Sequence, residues 1–299
     1  MCDSAFQLKG FAMKIRILLL MAAMIAVASG ALLVTAQDED VRGAFMTTRP
    51  KPNEPRKPTP KPSHRRPKPT ASPSPTPKAG GTSSETTRKG PRLGLGLTLF
   101  MRDSTGLAVR TDPNREFHKG DHVRVLLETN ADGYLYVFNT TNDGQPVMIY
   151  PDPELDDAGN YIQAHVPFEI PSSTAPEERL RWFTFDQNAG SEKLYFVFTR
   201  EPLSGVPIED DLVSFCRSDK TKCPWHPSVE TWTMLQNELS GPVKTSKSGK
   251  IAGAETSAEQ DGPRGIGLNR DDPEPSLIML SASTAKNVLI ATVEMVHKG

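Results

Sequence analysis

From residue 93 onward, short runs of aliphatic, β-branched and aromatic residues alternate with small clusters of Gly, Asn and Asp, the pattern of strands joined by tight turns. It predicts strands over 93–101, 122–129, 133–140, 145–150, 180–186, 192–199, 277–283 and 287–297. The connectors Asn130-Ala-Asp-Gly133, Asn142-Asp-Gly144, Asn188-Ala-Gly190 and Thr284-Ala-Lys-Asn287 are rich in residues that tolerate positive φ. Many short strands at this spacing predict an all-β sandwich or barrel.

The faces of these strands differ. In 122–129, Val123, Val125 and Leu127 alternate with His122, Arg124 and Glu128, so one side is expected to face water apart from Leu126. Strand 133–140 is apolar on both faces, with Tyr134, Tyr136 and Phe138 on one and Leu135 and Val137 on the other. Strand 192–199 repeats this with Leu194, Phe196 and Phe198 against Tyr195 and Val197. One sheet of a sandwich offers a single face to the core, so the outer aromatic face needs a cover. The helical-looking stretch lies in 201–240, where Val229, Trp232, Leu235 and Leu239 recur at three- and four-residue steps and 207–215 carries acids in its first turn. This insert is expected to pack on the sheet. If it leaves the face bare, Tyr134 and Tyr136 become a binding platform for glycan or peptide. Residues 241–276, rich in Ser, Lys, Gly and Asp, read as a second flexible loop.

Upstream of residue 93 the pattern is different. Lys14 and Arg16 precede an apolar run over 17–27, the layout of an export signal, and Val34-Thr35-Ala36 offers a cleavage site between Ala36 and Gln37. Met13 is a candidate start, since residues 1–12 add nothing an export signal needs. The competing reading keeps 17–36 as a membrane anchor, since twenty uncharged residues at ~1.5 Å each cover ~30 Å of hydrocarbon; the cleavage site favours removal. Both readings place the remainder outside the cytoplasm. Between Arg49 and Arg92 lie twelve basic residues against two acidic ones, with twelve prolines from 49 to 91 and almost no apolar side chains. Such a stretch cannot bury enough surface to fold. It is expected to be a disordered spacer reaching on the order of 130 Å at ~3.1 Å per residue if fully extended. The whole chain nevertheless has a net charge of only -1, and nucleic acid is not expected as a partner.

The residues Lys119-Gly-Asp-His-Val-Arg-Val125, Asp132-Gly-Tyr-Leu-Tyr-Val-Phe138, Gly144, Tyr150-Pro151 and 194–199 together resemble the bacterial family 4384 of domains of unknown function. The likeness covers roughly 94–202, with a last strand returning at 287–297. It implies an Ig-like β-sandwich, found in the family after export signals or beside signalling and protease modules. The long stretch from Glu201 to Pro275 departs from the family pattern.

Candidate chemistry is sparse. Cys216 and Cys223 are the two cysteines remaining after export, and an even pair in an oxidising compartment favours a disulfide. Metal is the alternative, because Cys223-Pro-Trp-His226 has ligand spacing. The acidic loop beginning at Asp152 and the turn from Asn139 to Gly144 each hold several oxygens suited to Ca²⁺, but both read better as solvated turns. No nucleophile elbow, zinc-protease helix or phosphate-binding glycine loop is present in the sequence. The expectation is therefore 1–36 as signal or anchor, 37–92 as linker, and 93–299 as an all-β, Ig-like sandwich bearing an insert at 201–276. The expected role is non-enzymatic binding of an envelope polymer or protein, without cofactor or metal. An envelope-modifying hydrolase, with paired carboxylates near Asp152, and a structural stalk protein are the alternatives.

Overall fold

The structure, a computed structural model, describes residues 40–54, 91–153, 159–248, 252–284 and 287–299. Among these the strands are β1 (Gly94–Arg102), β2 (Ala108–Arg110), β3 (Glu116–His118), β4 (His122–Thr129), β5 (Gly133–Thr141), β6 (Val147–Tyr150), β7 (Tyr161–Ile162), β8 (Phe168–Ile170), β9 (Phe183–Thr184), β10 (Gly190–Thr199), β11 (Val243–Lys247), β12 (Gly253–Ala254), β13 (Leu277–Ser281) and β14 (Val288–Lys298). The fold is all-β with few helices, and the strands form two sheets.

In the first sheet β4 lies along one edge of β1, while β13 and β2 share the other; β11 and β12 extend those two, and β8 and β9 extend β4. The second sheet runs β3-β14-β10-β5-β6, with β7 also on β5, and its β3–β14 pair alone is parallel. The inward residues of both sheets meet in one core, with Leu95, Leu97 and Val125 from the first sheet packed against Leu135, Phe196 and Leu289 from the second. At the start of β5, Gly133 is fixed by space. A Cβ there would lie inside contact distance of the Thr199 carbonyl on the paired strand and 2.8 Å from the Phe198 ring. Gly133→Ala is expected to cost about 1–3 kcal/mol by overpacking. Gly43, which has open space around it in a helical stretch, should gain about 0.5–1 kcal/mol as Ala. Denaturant midpoints of the two variants, moving in opposite directions, check this pair.

Each sheet also has a covered outer face. Over the second sheet, the insert packs as expected: helix α2 (Glu209–Ser218) and helix α3 (Val229–Thr233), which continues as a π-turn over Met234–Leu239, bury Leu212 and Leu235 against Tyr136, Phe138 and Val197. Ser228 caps α3, its side chain accepting from the Thr231 N–H.

The first sheet is covered by segments expected to be outside the fold. Residues 40–46 form helix α1, and Val41 and Phe45 pack on Ile278 and Leu280 of β13. Arg49, fully buried, donates to both carboxylate oxygens of Glu128 on β4 at 2.8 and 2.7 Å. Its remaining N–H groups reach the carbonyls of Asn269, Asp272 and Pro273, so the planar fork is fully used. His165 lies 2.7 Å from the same Glu128. Beside this cluster Arg110 pairs with Glu259, and Arg124 pairs with Glu169 and Glu255 while lying over the Trp182 ring.

Three expectations are corrected here. The polar side of β4 does not face water: Arg124 and Glu128 are buried, because each finds a charged partner under the covering segments. Residues 241–276 are not simply a flexible loop, since their described part forms β11, β12 and a capped helix over Ser257–Asp261. The expected linker over 37–92 does not run unbroken, because its described part 40–54 is docked on the sheet. Pro91 is also held, its carbonyl accepting from Arg200 at 2.8 Å. The described residues on both sides of 55–90 thus belong to one fold.

Candidate functional site

The sites expected from sequence are used by the fold itself. Tyr134 and Tyr136 are 2% and 0% exposed beneath the insert, so they are not an open platform. Tyr136 accepts a hydrogen bond from the Leu203 N–H at 3.0 Å, and Tyr134 meets the Tyr161 ring edge-on. Burial, followed by the nearby Glu201 charge, pushes the Tyr134 hydroxyl up to about 12. Cys216 and Cys223 form a disulfide with Cα atoms 5.2 Å apart, which overturns the metal alternative. His226 instead lies 3.0 Å from the Pro146 carbonyl. Asp143, in the turn considered for Ca²⁺, pairs with Lys193 at 2.7 Å. Among the described residues no group of His, Cys, Asp and Glu is arranged to hold a metal. Residues 154–158 of the acidic loop, the Ala36–Gln37 cleavage site and the 17–36 segment lie outside the described residues. No described helix is long and apolar enough to cross a membrane.

The disulfide closes a short loop at the end of α2. On the chain-entropy account a loop of this size stabilises by about 2–3 kcal/mol. Double Cys→Ser substitution should lower the denaturation free energy by that amount, and unchanged stability would show the bridge to be ornamental.

An open cavity of about 290 Å³ lies between the two sheets at one end of the core. Its position follows from a change along three neighbouring strands of the second sheet. The inward series on β5 runs Leu135, Val137, then Asn139 and Thr141; on β10 it runs Phe198, Phe196, Leu194, then Glu192; on β14 it ends Val293, Met295, then His297. Register brings these polar ends together, since Glu192 pairs with Thr141 on one side and Met295 on the other, and Gly190 pairs with His297. The first sheet contributes Val123 and Val125 of β4, and Phe183 of β9 closes the wall with Phe185.

The polar mouth is organised. Glu192 Oε2 accepts from Asn139 Nδ2 at 2.8 Å and from Thr141 Oγ1 at 2.9 Å, which fixes the carboxylate from the adjacent strand. Asn139 Oδ1 is buried without a hydrogen-bond partner among the described residues. His297 is 3% exposed, its ring stacked at a tilt 5.1 Å from Phe185. Neither of its ring nitrogens has a hydrogen-bond partner among the described residues, and Nε2 stands 3.6 Å from Asp186 Oδ1. Hydrogen bonds from the backbone and side chain of Asn188 hold the Asp186 carboxyl below the usual range, so it is ionised at neutral pH. Buried polar atoms in a native fold are normally satisfied, so unpartnered ones lining a cavity mark a place where a ligand or water completes the set. From sequence, Asn139 and Thr141 stood out only as part of the Asn139–Gly144 turn, and Asp186, Glu192 and His297 not at all, although the switch from apolar to polar at the same end of three strands was there to be read.

Residues 116–202, from β3 through β10, match the family model described as Domain of unknown function (DUF4384), the family already suggested by the Gly-Tyr-Leu-Tyr strand. The match includes most of the cavity lining but not Met295 or His297. No curated protein and no solved structure matches the chain.

Proposed function

We propose that this chain, whose residues 116–202 fall in the DUF4384 family, is a non-enzymatic, Ig-like β-sandwich module that binds a ligand outside the cytoplasm at the cell envelope. The observation that carries the binding reading is the inter-sheet cavity, whose lining includes the buried Asn139 side-chain oxygen and His297 Nδ1, neither with a hydrogen-bond partner among the described residues, while His297 Nε2 faces Asp186 at 3.6 Å. The disulfide supports an oxidising location, and the apolar run over 17–27 after Lys14 and Arg16 supports export. A second reading, an envelope-modifying hydrolase, draws on the Asp186–His297 pair, in which His297 would act as base toward water.

The test is native mass spectrometry of the chain isolated from its producing cells, beside Thr141→Trp, which places a bulky ring at the exposed rim of the cavity. The proposal expects a small molecule on the parent chain and none on the variant, with the chain ending its N-terminus at Gln37 and carrying the oxidised Cys216–Cys223 bridge. Equal occupancy of both chains, or an unprocessed chain with free thiols, contradicts it. The hydrolase reading instead expects turnover that His297→Gln abolishes.

A further inference from the structure

The cavity's lining also constrains what it holds. Its wall is apolar, made by Val125, Leu194, Met295 and the rings of Phe183 and Phe185. Its mouth offers acceptors: the Asp186 and Glu192 carboxylates and the unpartnered Asn139 Oδ1. Among the described residues no Lys or Arg lines it.

We propose that the cavity takes a small molecule with an apolar body and a primary ammonium head. This rests on the binding reading above and adds the ligand's chemistry. An ammonium carries three donors and no acceptor, which matches a mouth rich in acceptors. Glu192 is oriented in advance by Asn139 and Thr141, so little side-chain freedom is lost when a cation arrives. A carboxylate head would meet two like charges there. A volume of about 290 Å³, set against ~30 Å³ for one water-sized group, fits a body on the order of ten non-hydrogen atoms.

The experiment titrates hexylamine, hexanol and hexanoate into the oxidised 37–299 chain and follows the methyl signals of Val123, Val125, Leu194 and Met295 by NMR. Hexylamine is expected to shift these signals and to bind at least tenfold more tightly than hexanol, with no shift from hexanoate. Glu192→Gln, which keeps the side chain's shape and an oxygen for Asn139 and Thr141, is expected to lower hexylamine affinity about tenfold or more and leave hexanol unchanged. Hexanol or hexanoate binding as tightly as hexylamine, or a Glu192→Gln chain that binds hexylamine normally, overturns the ammonium head. If Thr141→Trp still blocks hexanol in that case, the cavity stands as a binding site with a different ligand. If none of the three probes shifts these methyls and no molecule co-purifies with the chain, the binding reading falls as well.

Discussion

Arg49→Ala is expected to destabilise the fold by about 3–5 kcal/mol, because removing one partner of a buried ion pair leaves an uncompensated charge. Glu128 would remain 3% exposed beside His165, and three backbone carbonyls near 269–273 would lose their donor. The effect should be tied to pH. Burial alone raises the Glu128 carboxyl, but hydrogen bonds from His165 and Arg49 outweigh it and leave the group below its ordinary 4.5. A carboxyl lowered on folding stabilises above its unfolded value, and that contribution is lost as pH falls through the lower folded value. Denaturant titrations from pH 7 downward should therefore show the parent chain losing stability below about pH 4.5, with this part of the slope missing in Glu128→Gln. Replacing the pair together, Arg49→Met with Glu128→Leu, should recover much of the loss. If Arg49→Ala costs under about 1 kcal/mol, the range of an exposed pair, then 40–54 is not docked. The same contacts warn against truncation: a chain beginning at 93 lacks Val41, Phe45 and Arg49, and should be destabilised for reasons unrelated to the basic segment.

Phe138→Ala should cost about 3–5 kcal/mol, the range for emptying a buried aromatic site. Phe138 is fully buried on the outer face of the second sheet, with Trp232 of α3 edge-on at 5.5 Å. Trp232 also meets Tyr195 at 5.0 Å, so the loss should appear twice. The denaturation free energy falls, and tryptophan fluorescence moves toward that of a hydrated ring as the insert loosens. A stable Phe138→Ala chain with unchanged fluorescence would mean the insert is held elsewhere, and that the outer aromatic face is not its seat.

The strands visible in the sequence are the long ones with unbroken apolar alternation. The expected 122–129 coincides with β4, and β5, β10 and β14 lie within two residues of expectation at each end. The insert's role was equally legible, because two adjoining strands apolar on both faces cannot both be satisfied by one core. Short strands such as β2, β8 and β12 carry too few residues to show a period, and exist because a longer neighbour offers an edge. The expected 180–186 strand shrank to Phe183–Thr184 for the same reason, after a 3-10 turn over Glu178–Leu180.

Arg49 was illegible for a different reason. Amid Pro-Lys repeats it resembles every other cation, and its partner Glu128 is seventy-nine positions away. A hint existed in Gly94 and Gly96, since glycine inside a strand often marks close approach of another segment. A Cβ on Gly94 would sit 2.8 Å from Phe45. The cavity was missed because attention to motifs favours unusual residues, whereas Asn139, Thr141, Glu192 and His297 are ordinary residues made significant by register.

The most direct test of the binding proposal is co-sedimentation with isolated envelope fractions at low and high salt. It compares the 37–299 chain with one whose residues 55–90 are replaced by an uncharged Gly/Ser segment of equal length, each with and without Thr141→Trp. If the two-sheet core is the binding element, both parent chains sediment with little effect of salt, and Thr141→Trp releases both. Sedimentation of only the chain that keeps 55–90, reversed by salt and indifferent to Thr141→Trp, would make the basic segment the adhesive and contradict the proposal.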